Sequence, residues 1–152
     1  MKIVCAPGNI LETIASGDLD VVLYGSTNQP SSGSVGARIK ENIQRLKLNP
    51  SARAWDLLSI ALSIVAADIG ICRNESPDGW TREVDIEIAV SDPDFWSQHS
   101  RLLERQLRFL TTDIWRCRFR DGGFLPFLPV SPVMPEEDSI ILLSGGLDSL
   151  VG

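Results

Sequence analysis

The densest chemistry in the chain is Ser144-Gly145-Gly146-Leu147-Asp148-Ser149, which follows the continuously apolar run Ile140-Ile141-Leu142-Leu143. Adjacent glycines let the backbone turn tightly and come close to a ligand. Their amides, with the hydroxyls of Ser144 and Ser149, suit a pyrophosphate. A helix starting there would point its positive end at the same anion. Asp148 can cap that helix or help position a magnesium ion that bridges phosphates. The bland alternative is a Gly-Gly turn closed by an Asp or Ser cap. Five defined positions after a strand-like run favour the anion cradle.

Other candidates are weaker. Glu83, Asp85 and Glu87 place three carboxylates on one strand face, and Arg116, Arg118 and Arg120 form a matching row of cations. The rows suit cross-strand ion pairs better than an acid–base or metal site. Val84, Ile86 and Ile88 would then share a buried face with Trp115, Cys117 and Phe119. The arginine row as a phosphate or RNA platform lacks adjacent exposed aromatics. His99, the single histidine, sits in a polar helical stretch and rules out a Ser-His-Asp reading of any substance. Gly33-Ser34-Val35-Gly36 before a helix is a weak phosphate signal. Cys5 and Cys117 fall in apolar strands and read as inert core residues, while Cys72 stands beside Arg73. The four tryptophans, Trp55, Trp80, Trp96 and Trp115, read as core or interface anchors.

Composition narrows the classes. The 152 residues carry 14 Lys+Arg against 20 Asp+Glu, a net charge of −6, with 43 % apolar and 22 % charged residues. This is globular composition, and the acidic balance disfavours duplex-DNA binding through phosphates. No apolar run approaches a membrane span or a signal peptide. Three widely spaced cysteines give neither a disulfide framework nor metal-ligand spacing. The expected location is the cytoplasm.

The elements that must position these residues are readable in outline. Short strands are expected at Lys2–Ala6 and Asp20–Tyr24, with a loop over residues 29–34 and a helix from about Ser34 to Leu48. Asn49-Pro50 is expected to start a second helix reaching as far as Cys72 and, lacking charge from Leu57 to Ala67, to be a central core helix. Ser76-Pro77-Asp78-Gly79 is a turn. Val84 to Val90 alternates as a strand with one wet face. Ser91-Asp92-Pro93 caps a helix carrying Trp96, Leu103, Leu107 and Leu110 inward. Residues 114–120 form a further strand, and 121–123 a turn. Pro126, Pro129, Pro132 and Pro135 mark residues 125–138 as a linker or extended crossing segment.

The hexapeptide Ser144–Ser149 resembles the PP-loop of ATP pyrophosphatases, which cleave ATP between the α and β phosphates, adenylate a substrate and let a nucleophile displace AMP. The resemblance makes Ser144, Gly145, Gly146, Asp148 and Ser149 the ATP and pyrophosphate positions, with ATP and Mg as cofactors. It supplies no catalytic residue in this chain. A PP-loop domain continues well beyond such a loop, so the adenine and substrate pockets, and the zinc-binding cysteines of deazaguanine synthases, would lie past Gly152. The chain is therefore read as the N-terminal part of a longer protein, inactive alone.

A second resemblance concerns Trp55-Asp56-Leu57-Leu58, Ala66-Ala67-Asp68, Trp80-Thr81-Arg82-Glu83, Asp92-Pro93 to Trp96, and Phe109 to Asp113 with Trp115. These look like the N-terminal region of QueC-like (7-cyano-7-deazaguanine synthase-like) proteins of bacterial antiphage defence clusters. The parent would then activate a 7-deazapurine carboxylate with ATP and pass it to an amine, either ammonia or a protein partner. The alternatives are a protein-interaction module without catalysis and an asparagine-synthetase-like amidotransferase. The latter is disfavoured because Cys5 is not terminal.

The expected fold is α+β. Residues 1–124 would form an accessory domain, a small mostly antiparallel sheet with two or three helices. Residues 125–138 would link it to 139–152, the first strand and PP-loop of an α/β domain of the adenine nucleotide alpha hydrolase type.

Overall fold

The computed structural model describes residues 1–14, 16–29, 32–126 and 128–133. Five strands, β1 (Lys2–Pro7), β2 (Leu19–Leu23), β3 (Ser32–Val35), β4 (Glu83–Val90) and β5 (Ile114–Asp121), form one sheet in the order β3-β2-β1-β4-β5. With them are the helices α1 (Gly8–Leu11), α2 (Ala37–Arg45), α3 (Ala52–Gly70) and α4 (Pro93–Thr111). One small sheet carrying helices is as expected, with four α-helices among the described residues in place of two or three.

The expected antiparallel pairing is overturned: every strand pair is parallel. The wet-face alternation of β4 is the usual mark of an antiparallel sheet. Here it arises in a parallel sheet because both long helices pack on one face. Ile3, Cys5, Val21, Leu23, Ile86, Ile88, Trp115 and Cys117 point to that face and share a core with Trp55 and Ile60 of α3 and Trp96 and Leu107 of α4. The chain starts at the centre of the sheet, runs outward through β2 and β3, then crosses back through α2 and α3 to β4 on the other side of β1.

On the opposite face, the connection after α1 folds back over β1. A Cβ on Gly17 would lie 2.6 Å from the Lys2 carbonyl oxygen, so only glycine permits this approach. Val4 and Ala6 are fully buried there.

Local boundaries show further differences. The strand β3 replaces part of an expected loop, and α2 starts at Ala37 rather than Ser34. The break is Gly36, at φ +86°, where a Cβ would sit 2.7 Å from Leu62 Cδ1. The cap of α3 is Ser51, whose hydroxyl accepts from the Ala54 N–H at 3.3 Å, so Pro50 lies outside the helix instead of at its first position. The helix α4 begins as expected, with Asp92 accepting from the Phe95 N–H at 3.1 Å and Pro93 following. Trp96 and Leu107 are buried, but Leu110 is 75 % exposed. Among the described residues, the last turn of α4 has nothing outward to pack against.

The expected central position of α3 is also corrected. Its sheet side carries Asp56, Ser59 and Ser63 among Trp55, Ile60 and Ala67, while Leu57 and Val65 face outward. The inward hydroxyls are satisfied locally, Ser59 donating to the Trp55 carbonyl at 2.9 Å and Ser63 to the Ser59 carbonyl at 2.7 Å.

After β5, the described part of the Pro-rich segment lies along the corner between α2 and α3. The Val133 N–H donates to the Lys47 carbonyl at 3.0 Å, and Leu48 and Val133 form an isolated parallel bridge. Ile43, Leu48, Trp55, Leu125, Leu128 and Pro129 line an apolar cavity of about 440 Å³ beneath it.

Candidate functional site

The predicted pyrophosphate positions Ser144, Gly145, Gly146, Asp148 and Ser149 lie outside the described residues, as do the apolar run 140–143 and residues 134–138 of the linker. The described residues bring together three other polar arrangements, each on identifiable elements.

The first is the charged sheet face. Parallel register sets Asp85 beside Arg116 and Glu87 beside Arg118. Each arginine reaches back along β4: Arg116 to Glu83 (3.3 Å) and Asp85 (3.4 Å), Arg118 to Asp85 (3.2 Å), Arg120 to Glu87 (3.0 Å). Lys2 of β1 adds a contact to Glu87 at 3.5 Å. The acidic and basic rows therefore neutralise one another, as their sequence alternation implied. Val84, Ile86 and Ile88 share the buried face with Trp115, Cys117 and Phe119.

The second joins the entry ends of β4 and β5 to the C-terminal ends of α3 and α4. Asp113 is fully buried, and Arg82 is 3 % exposed. Arg82 donates to Asp113 from its backbone N–H (3.0 Å), Nε (3.0 Å) and Nη2 (2.6 Å). It also donates to the carbonyls of Asp68 (2.9 Å) and Ile71 (3.1 Å), and forms an ion pair with the Asp68 carboxylate. Arg73 adds two bonds to Asp113, at 2.9 and 3.2 Å. Burial alone would raise the Asp113 pKa. The Arg82 hydrogen bonds, with the charges of Arg82 and Arg73, outweigh it and hold the carboxyl below its ordinary range. The same bonds raise the Arg82 pKa against its own desolvation.

The third lies at the opposite end of α3. The buried Asp56 carboxylate accepts from the Ser91 N–H (2.7 Å) and Oγ (2.8 Å), the Asp92 N–H (3.3 Å) and Trp96 Nε1 (3.0 Å). It thereby ties α3 to the turn between β4 and α4.

Sequence reasoning named Asp56, Asp68, Arg82 and Asp113 only as parts of a resemblance, with no role, and read Asp92 as part of a helix cap and Trp96 and Trp115 as core or interface anchors. In the structure Asp68, Arg82 and Asp113 form one network, and Asp56, Asp92 and Trp96 the other. Trp115 Nε1 donates to Thr111 Oγ1 at 2.9 Å beside the first network. Asp56, Asp113 and Arg82 are buried and engaged by protein partners, which makes these networks clamps between helices and sheet.

The remaining candidates resolve simply. Burial pushes the Cys5 and Cys117 thiols up to about 12, which leaves them inert at neutral pH. Cys72 is exposed. The His99 ring packs on Phe95, with Nδ1 2.7 Å from the Phe95 carbonyl oxygen. Trp55, Trp96 and Trp115 are core anchors, whereas Trp80 is 64 % exposed. Gly33–Val35 belong to β3, so the segment read as a phosphate loop is mostly sheet. Among the described residues no cluster of three His, Cys, Asp or Glu side chains has the geometry of a metal site, and no helix is long and apolar enough to cross a membrane.

No family model, curated protein or solved structure matches the chain.

Proposed function

We propose that this chain is the N-terminal portion of a cytoplasmic, ATP-dependent QueC-like enzyme that adenylates a 7-deazapurine carboxylate and transfers it to an amine, in antiphage defence. The observation that carries the reading is Ser144-Gly145-Gly146-Leu147-Asp148-Ser149 directly after Ile140–Leu143. In this reading the substrate carboxylate oxygen attacks the α-phosphorus of ATP, the α–β bridging bond breaks, and pyrophosphate leaves into the loop. The amine, ammonia or one on a protein partner, then attacks the acyl carbon, and AMP leaves with the carboxylate oxygen. Ser144, Gly145, Gly146 and Ser149 would hold the pyrophosphate, and Asp148 would help position magnesium or cap a helix starting there.

Residues 1–124 act as an accessory domain that docks a partner or places the substrate. Supporting this division of labour, the buried carboxylates of the domain, Asp56 and Asp113, are engaged by protein donors. Replacing Asp148 with Ala in the full-length protein that this reading implies tests it. ATP–pyrophosphate exchange should fall by about 10²-fold or more, with unchanged melting temperature. Unchanged exchange would remove the loop from catalysis.

A further inference from the structure

The outward side of α3 is apolar and organised about one small residue. Leu57, Ala61 and Val65 follow one another at four-residue spacing, the outer two 54 % and 51 % exposed. Arg53 precedes this stripe and Asp68 follows it, with side chains 60 % and 52 % exposed. At 100° per residue, Arg53 and Asp68 lie on the same flank of the stripe. At 1.5 Å per residue, Leu57 and Val65 stand about 6 Å on either side of Ala61, and Arg53 and Asp68 about 11 Å.

We propose that this stripe is a two-fold interface with a second copy of the chain, α3 packing antiparallel on α3 with Ala61 at the axis. A two-fold perpendicular to both helices reverses their direction and preserves the flank. It therefore sets Leu57 of one copy against Val65 of the other, and Arg53 against Asp68. The pairing occurs twice, because a two-fold interface is self-complementary. Ala61 at the crossing lets the helix axes approach to the short end of the usual 8–10 Å range. Charge selects the direction: parallel packing would oppose Arg53 to Arg53 and Asp68 to Asp68, whereas antiparallel packing opposes unlike charges and aligns the helix dipoles favourably. Within one copy Arg53 bonds Asp92 at 3.3 Å and stacks on the Phe95 ring, and Asp68 bonds Arg82, so the pairs across the axis would extend these networks.

The test is sedimentation equilibrium on the 152-residue chain up to about 100 µM, with cysteine cross-linking at the axis. A reversible dimer is expected, with its dissociation constant raised roughly tenfold or more by Ala61→Arg while the far-ultraviolet circular dichroism is unchanged. In a Cys72→Ser background, Ala61→Cys should give an intermolecular disulfide under mild oxidation, and Gln98→Cys on the exposed side of α4 should not. A monomer throughout the range, as when another segment of the same chain covers the stripe, overturns the proposal. So does a dimer indifferent to Ala61→Arg, or one without cross-linking at position 61. Cross-linking through Ala61→Cys also decides the matter if Ala61→Arg fails to fold.

Discussion

Arg82 and Asp113, 31 residues apart in sequence, meet at the entry ends of β4 and β5, where Arg82 Nε and Nη2 both donate to Asp113 Oδ2, at 3.0 and 2.6 Å. Strand pairing sets the backbones side by side, and α3 closes over the pair through Asp68. Removing one member of such a buried pair strands the other. Asp113→Leu should destabilise the domain by about 3–5 kcal/mol, and the double variant Arg82→Met/Asp113→Leu by clearly less. Urea denaturation of the two variants and the parent checks both values. Equal losses would mean that the ion pair is not the unit that matters.

The same carboxylate dictates an acid response. Its folded pKa lies below its unfolded value, so the folded state binds its proton less readily. The contribution is fully present above the ordinary aspartate pKa of about 3.9 and is lost as pH falls through the depressed folded value. Asp78 behaves alike: hydrogen bonds from Thr81 and the Trp80 amide bring it to about 2. Stability should be flat from about pH 7 to pH 5 and fall steeply below about pH 4. Asp113→Asn should flatten part of that fall. Denaturant midpoints across the pH range measure it, and an unchanged acid slope in Asp113→Asn would contradict the assignment.

Asp56 should respond differently to loss of charge and loss of shape. Asp56→Asn keeps an acceptor for Ser91 and Trp96, while Asp56→Leu leaves buried donors unpaired. The second should cost about 3 kcal/mol and the first less. It should also loosen the junction of α3 with α4, which a red shift in tryptophan emission would report through Trp96.

The exposed arginine row sets the opposite expectation. Arg118 is 61 % exposed and pairs with Asp85 at 3.2 Å in solvent. Arg118→Gln should change stability by less than about 1 kcal/mol, with little dependence on salt beyond screening. A large loss would mean that this face is covered by something the charges recognise.

Much of the sheet was legible in the chain, but its direction was misread. The alternation of Glu83–Val90 against Ile114–Arg120 gave both strands and their charge pairing, because period-two patterning is local. The 19-residue α4 between them held the missing signal, since a strand–helix–strand unit returns its second strand parallel to the first. β3 was hidden for another reason: Ser32-Gly33-Ser34-Val35 has no apolar face to alternate. The Asp113 network carried no local signature, because its partners converge only when β4, β5 and α3 are assembled. The expected pyrophosphate site, Ser144 to Ser149, falls outside the described residues.

If the chain is the N-terminal portion proposed above, the deciding measurement incubates the full-length protein with ATP, magnesium and 7-carboxy-7-deazaguanine and looks for AMP and pyrophosphate by mass spectrometry. AMP and pyrophosphate should form only in the presence of the deazapurine and disappear with Asp148→Ala. A folded, ATP-binding protein that forms no AMP with this substrate would contradict it.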